Sequence, residues 1–150
     1  MFGFRALALS GAFALLTTAH AFADPVVDVN DVFFFKHGHS DPTSWEACWS
    51  FTNRADKDAT VVRFRVVWKD AFGTPIKAGI LDRVGSFAPN VSIDGPKDTS
   101  QFALREYDNS WGEKMKNCGH QSVDTGTPNL VTVYAIQVRY TDGSTWTPQR

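Results

Sequence analysis

The chain has 150 residues and a formal net charge of −1, with 43% hydrophobic and 21% charged residues. A chain of this length is expected to form one domain of ordinary size with a buried core. Because there is no excess of basic residues, the composition predicts neither a nucleic-acid partner nor an acidic-membrane partner, which would both require a positive surface.

The first 23 residues have the pattern of a secretory signal peptide. Arg5 gives a short positive start, an uncharged apolar stretch follows, and Ala21 and Ala23 place small residues where a signal peptidase cleaves. The apolar stretch is shorter than the roughly 20 residues that span a membrane. We therefore predict a signal peptide over residues 1–23 and one exported domain over residues 24–150, located in the periplasm or outside the cell, with no stable membrane insertion after cleavage.

Apolar and polar residues alternate with a period of two along much of the remaining chain, which is typical of β-strands. In the clearest segment, Phe64 and Trp68 belong to the apolar face. Turn residues separate the segments. In chain order, the predicted strands are residues 26–36, 45–52, 61–69, 75–84, a short strand within 85–93, 131–140 and 145–147.

About seven short strands without an amphipathic helix predict an all-β fold, a single antiparallel β-sandwich of the immunoglobulin-like kind. A small β-barrel is the alternative. We expect the second and third strands to form an antiparallel hairpin around the polar turn at residues 53–58. Residues 97–128 lack clear alternation and are expected to form one long, irregular loop, and loops of this length often carry a function.

The chain contains two cysteines, Cys48 and Cys118. An even pair in an exported domain predicts a disulfide bond. Cys48 alternates with Trp49 and so lies on the strand face opposite to the aromatic one. We therefore expect the bridge to fasten the irregular loop over the outer face of a sheet, and not to span the core as it does in antibody domains.

Two sets of side chains are candidates for ligand binding. Tyr107 and Trp111 lie in the irregular loop, and exposed aromatic residues of exported β-sandwiches can stack on sugars or anchor a protein partner. His37, His39 and His120 offer imidazole nitrogens for copper or zinc. The plain alternatives are a solvated loop for the histidines and packing over the sheet for Trp111.

Arg63, Arg65 and Lys69 form a basic row on one face of the third predicted strand. Such a row could hold an anion. The alternative is a solvated face balanced by a carboxylate on a neighbouring strand, for which Glu46 is the candidate.

Several segments resemble those of small exported bacterial immunoglobulin-like β-sandwich proteins of uncharacterised function. The resemblance implies a sandwich fold and an exported location, and it assigns no active-site residue. It rests on Cys48-Trp49-Ser50-Phe51-Thr52-Asn53, Val62-Arg63-Phe64, Asp70-Ala71-Phe72-Gly73, the run from Gly85 to Ile93, Cys118, and the run from Val138 to Trp146.

The sequence contains neither Gly-x-Ser-x-Gly nor His-Glu-x-x-His, and it predicts no enzyme and no cofactor. We expect an exported, non-catalytic domain that acts as an interaction or structural module for an unidentified protein or small ligand. One alternative is a small-ligand or carbohydrate-binding module that uses Tyr107 and Trp111. The other is a periplasmic metal-binding protein that uses His37, His39 and His120.

Overall fold

The computed structural model describes residues 25–36, 43–94 and 118–148, and within these residues eight strands form two antiparallel sheets. None of the described residues belongs to a helix that is long and apolar enough to cross a membrane. The strands are β1 (Val27–Lys36), β2 (Ser44–Asn53), β3 (Ala59–Lys69), β4 (Pro75–Phe87), β5 (Ser92–Ile93), β6 (Cys118–Ser122), β7 (Leu130–Tyr140) and β8 (Thr145–Trp146).

Strand β2 is the centre of the first sheet, called sheet A. Strand β1 pairs with one side of β2, while β5 and β6 pair with opposite ends of its other side. The second sheet, sheet B, has the order β4-β3-β7-β8. The sheets do not close into a barrel. The predicted all-β sandwich architecture is therefore confirmed, and the barrel alternative is wrong.

Aromatic rings from the two central strands fill the space between the sheets. The ring of Phe64 on β3 lies 5.3 Å from the ring of Trp49 and 5.1 Å from that of Phe51, both on β2, in edge-to-face geometry. Phe64 and Trp68 are fully buried. Such contacts add roughly 0.5–1.5 kcal/mol each to the stabilisation from apolar burial. The alternation in the sequence thus predicted the inward faces of β2 and β3 correctly.

The predicted hairpin between the second and third strands is wrong. Strand β2 belongs to sheet A and β3 to sheet B, so the turn between them carries the chain from one sheet to the other. Asn53 fixes this crossing, because its buried amide donates hydrogen bonds to the carbonyls of Lys57 and Phe87. Alternation shows which face of a strand is apolar, but it does not show which strand lies beside it.

Strand β4 runs three residues past the predicted end at Val84, to Phe87. The buried ring of Phe87 packs 5.2 Å from the ring of Phe51 in the other sheet, and this contact holds the end of the strand against the core. Gly85 permits the arrangement, since a Cβ atom there would lie 3.0 Å from the Phe87 ring.

Part of the segment predicted to be an irregular loop is a strand. Strand β6 pairs with β2 over five residues, although its sequence is polar. Its inward positions are Gly119, which lies against Trp49, and Gln121, whose side-chain oxygen accepts a hydrogen bond from the Trp68 indole at 2.8 Å. These positions carry no apolar side chain, so the strand has no apolar alternation. Residues 95–117 lie outside the described part of the chain.

Candidate functional site

The outward-pointing side chains of β3, β4 and β7 form one continuous surface, which we call the sheet B face. At its centre Arg65 lies between Ile80 on β4 and Tyr134 on β7, as the strand register shows. Ile80 is 62% exposed and Tyr134 is 43% exposed. One row further along the strands, Arg63 lies between Asp82 and Gln137.

Arg63 is held by both of its neighbours on this face. Its Nε and Nη2 atoms donate to the two carboxylate oxygens of Asp82, each at 2.7 Å, and its Nη1 donates to Gln137 Oε1 at 3.2 Å. These hydrogen bonds lower the pKa of Asp82 and raise that of Arg63. The prediction that Glu46 balances the basic row is wrong, since Glu46 is buried on β2 in the other sheet.

The other cations of the sheet B face lack such a partner. Within the described part of the chain, Arg65, Lys69 and Arg139 form no hydrogen bond or ion pair with a carboxylate. The outward positions of the three strands thus hold four cations and one carboxylate, Asp82, which is bonded to Arg63. The face also exposes four large apolar side chains, namely Ile80, Val84, Leu130 and Tyr134.

A shallow depression of about 560 Å³ lies beside the Arg63–Asp82 pair. Val84 and Arg139 form part of its wall, together with Thr145 at the start of β8. The surface therefore combines a concave region with exposed apolar groups and positive charge.

The disulfide joins two neighbouring strands of sheet A. Cys48 on β2 is opposite Cys118 on β6, with 4.0 Å between their Cα atoms. As predicted, the bridge does not span the core. The expectation that it fastens an irregular loop is wrong, because Cys118 belongs to a paired strand.

The cystine lies beside an acidic side chain. A carboxylate oxygen of Glu46 and the sulfur atoms of Cys48 and Cys118 lie within 4.8 Å of one another, and all three residues are buried. Thiolate is the form of cysteine that binds metals. Because the two sulfur atoms are bonded to each other, they offer no thiolate, and this group is not a metal site in the oxidised protein.

The predicted ligand-binding residues are described only in part. Tyr107, Trp111, His37 and His39 lie outside the described residues, so the loop site and the metal site remain predictions. His120 is an exposed residue of β6, and its Nε2 atom lies 2.6 Å from the hydroxyl oxygen of Ser44. The structure thus joins His120 to a side chain of the neighbouring strand.

A second charged site, not predicted from the sequence, lies where β4 faces β6 at the open side of the sandwich. The guanidinium of Arg83 covers the ring of Trp49 at 5.4 Å, and its Nη2 donates to the main-chain carbonyl of Cys118. Its Nε is buried and has no hydrogen-bond partner within the described ranges of the chain. The strand register places Arg83 on the inward face with Leu81, whereas the apolar side chains of Ile80 and Val84 lie on the outward face, so alternation along β4 does not signal the site.

Burial lowers the pKa of Arg83 to about 10, while the negative charge of Glu46 acts in the opposite direction. The guanidinium therefore keeps its positive charge at neutral pH. Beside it, between the end of β4 and the short strand β5, lies a cleft of about 580 Å³ whose walls include Phe87 and Ile93.

Comparison of the chain with protein-family models, with curated proteins and with solved structures finds no match. The fold and the two charged sites define an all-β, two-sheet protein with one disulfide, an exposed basic and apolar sheet face, and a half-buried arginine beside Trp49 of the core.

Proposed function

We propose that the protein is an exported, non-catalytic β-sandwich of the immunoglobulin-like kind, and that it acts as an interaction module which binds an acidic protein surface through its sheet B face. The observation that carries this proposal is the position of Arg65. It is exposed, it forms no ion pair with any residue that the structure describes, and it is flanked by the exposed side chains of Ile80 and Tyr134.

Arg65, Ile80 and Tyr134 are residue types that suit a protein interface. Arginine and tyrosine are enriched among the residues that contribute most to binding, because each combines a large contact area with directional hydrogen bonding. Ile80 and Val84, which are 62% and 80% exposed, would lose contact with water in a complex. Apolar side chains gathered on one exposed face are typical of an interaction site.

The charges of the sheet B face indicate the charge of the partner surface. Three cations that have no carboxylate partner among the described residues favour a surface that supplies carboxylates, and complementary charge accelerates association and orients the partner. A second copy of the same face is disfavoured, because it would bring Arg65, Lys69 and Arg139 close to the same cations of the other molecule. We therefore favour an acidic protein surface over self-association.

Two observations support the exported location. The first 23 residues have the charge, apolar length and small terminal residues of a signal peptide. The bond between Cys48 and Cys118 belongs to a class of crosslinks that persists mainly in oxidising compartments.

Site-specific photo-crosslinking tests the proposal. The full chain, produced with p-benzoylphenylalanine in place of Ile80, should form an adduct with a protein partner in the exporting cell. The same substitution at Asn30, an exposed residue of β1, should not. The purified partner should then bind with at least about tenfold lower affinity to Arg65→Glu, because the reversed charge repels its carboxylates.

Lys36→Glu is the matched control, because it makes the same charge change at an exposed position of sheet A and should leave the affinity unchanged. The proposal fails if Ile80 and Asn30 give the same adducts, or if Arg65→Glu binds as well as the unaltered protein. Adducts with a second copy of the chain alone, or binding only to sulfated glycans or vesicles, would also contradict it.

A further inference from the structure

We propose that Arg83 binds the carboxylate of a small organic anion whose apolar body occupies the cleft between β4 and β5. Arg83 points into the sandwich, away from the sheet B face, although Asp82 and Val84 of that face also border the cleft.

Arg83 carries a positive charge, and no carboxylate among the described residues accepts a hydrogen bond from it. A guanidinium removed from water is normally paired with an anion, because burial without compensation is costly. The neighbour of Arg83 in sequence, Asp82, is bonded to Arg63, and Glu46 acts on Arg83 only through its charge at a distance.

Arg83 has more hydrogen-bond donors than the described residues use. A guanidinium has five N–H groups in a rigid plane, and a carboxylate can accept two of them in parallel. Arg83 donates one to the carbonyl of Cys118. Its Nη1 makes no hydrogen bond with any described residue, so the outer part of the guanidinium can donate to an anion, while its face rests on Trp49.

The cleft has the volume and the lining of a small-molecule site. Its volume of about 580 Å³ lies within the range of small-molecule sites, roughly 300–1,000 Å³. Val84, Phe87 and Ile93 supply apolar walls, and Ser86 adds a hydroxyl group. Apolar walls around a few convergent polar groups are the usual composition of a ligand pocket.

The same lining restricts the charge of the ligand. Arg83 is the one cation among the described residues that line the cleft, and Asp82 also borders it. A dianion such as phosphate would lack a second cation and would be repelled by Asp82, so a monocarboxylate with an aromatic or aliphatic body fits best.

Nuclear magnetic resonance of the ¹⁵N-labelled, disulfide-bonded protein tests the site, with benzoate as the probe and benzamide as its neutral counterpart of the same shape. We expect benzoate to shift the Arg83 Nε–H and Trp49 indole N–H resonances saturably. Benzamide should bind at least about tenfold more weakly, since it lacks the charge that strengthens the hydrogen bonds.

Two variants complete the test. Arg83→Met should abolish the response of the Trp49 indole to benzoate, whereas Arg65→Met, which alters the proposed interface, should leave it unchanged. If Arg83→Met does not fold, the comparison of benzoate with benzamide in the unaltered protein decides alone. The proposal is overturned if benzoate causes no saturable shift, if benzamide binds equally well, or if folded Arg83→Met still responds.

Discussion

The side-chain nitrogen of Asn53, at the end of β2, donates a hydrogen bond of 2.9 Å to the main-chain carbonyl of Phe87, at the end of β4. This bond joins sheet A to sheet B in the interior, where Asn53 is fully buried. The same nitrogen also donates to the carbonyl of Lys57, and the side-chain oxygen accepts from the backbone of Ala55. One amide thus satisfies three backbone groups at the crossing between the sheets.

We predict that Asn53→Ala lowers the free energy of unfolding by about 3 kcal/mol, because it leaves the buried carbonyl of Phe87 and the partly buried carbonyl of Lys57 and N–H of Ala55 without their partner. Urea denaturation followed by tryptophan fluorescence measures the change. Asn30→Ala is the control, since Asn30 is exposed and should change stability by less than about 0.5 kcal/mol. Equal effects of the two substitutions would show that the crossing does not depend on Asn53.

The disulfide should make a large contribution to stability. It closes a loop with a sequence separation of 70 residues. In the chain-entropy description this restricts the unfolded state by about 4 kcal/mol. We expect the double variant Cys48→Ala/Cys118→Ala to lose stability of this size in denaturant titrations. Dithiothreitol should destabilise the unaltered protein similarly and leave the double variant unaffected; an effect of the reductant on both would contradict the assignment to the bridge.

The Arg63–Asp82 pair predicts a specific dependence of stability on pH. The hydrogen bonds from Arg63 lower the pKa of Asp82 in the folded protein below its value of about 3.9 in the unfolded chain. When the pKa of a carboxyl group is lower in the folded protein than in the unfolded chain, its ionised form stabilises the fold. This contribution to the free energy of unfolding is complete above the unfolded-state pKa, and it is lost as the pH falls through the folded-state pKa.

Asp82→Asn should therefore cost less than about 1 kcal/mol at pH 7, because the pair is exposed. The difference in free energy of unfolding between this variant and the unaltered protein should become smaller as the pH falls below about 4. Denaturant titrations from pH 7 to pH 2 measure it. Asp124→Asn is the control, because it removes a longer and more exposed contact of 3.7 Å to Lys77. It should change the free energy of unfolding by less than Asp82→Asn does. A difference that grows in acid would contradict the prediction.

Gly79 should be sensitive to the smallest substitution. A Cβ atom there would lie 2.8 Å from the side-chain amide of Gln121, whose oxygen accepts the hydrogen bond from buried Trp68. Gly79→Ala should displace that amide and cost about 1 to 2 kcal/mol by leaving the indole N–H unsatisfied.

A double-mutant cycle tests this explanation. In the Gln121→Ala background the amide is absent, and Gly79→Ala should then cost less than it does in the unaltered protein. Equal costs in the two backgrounds would show that the added methyl group acts through something other than Gln121.

The inward faces of β2 and β3 could be predicted from the sequence, and the neighbouring strands of β2 and β3 could not. Phe64 and Trp68 alternate with charged residues, and this pattern alone places them in the core. The same pattern is compatible with a hairpin between β2 and β3 or with their separation into two sheets. At the crossing between the sheets the side chain of Asn53 hydrogen-bonds to the end of β4, although the sequence alone presents Asn53 as an ordinary turn residue.

The candidate sites were predicted less completely, for a related reason. The basic row was visible, but its balancing carboxylate was assigned to Glu46 because β2 was expected to lie beside β3. The register of sheet B supplies Asp82 instead. Arg83 was missed because a charged residue on the inward face of a strand runs against the alternation by which strands are recognised. The burial of Arg83 depends on the neighbouring strand β6, and the polar sequence of β6 does not predict a strand.

The position of the cystine has a consequence for how the protein unfolds under mechanical force. The chain has two cysteines, and their bond lies within sheet A, so noncovalent contacts and the connecting segments alone hold one sheet against the other. A pulling force can therefore separate the two layers while the sulfur–sulfur bond stays intact. The stretched chain then keeps Cys48 opposite Cys118, and refolding starts with the alignment of β2 and β6 already set.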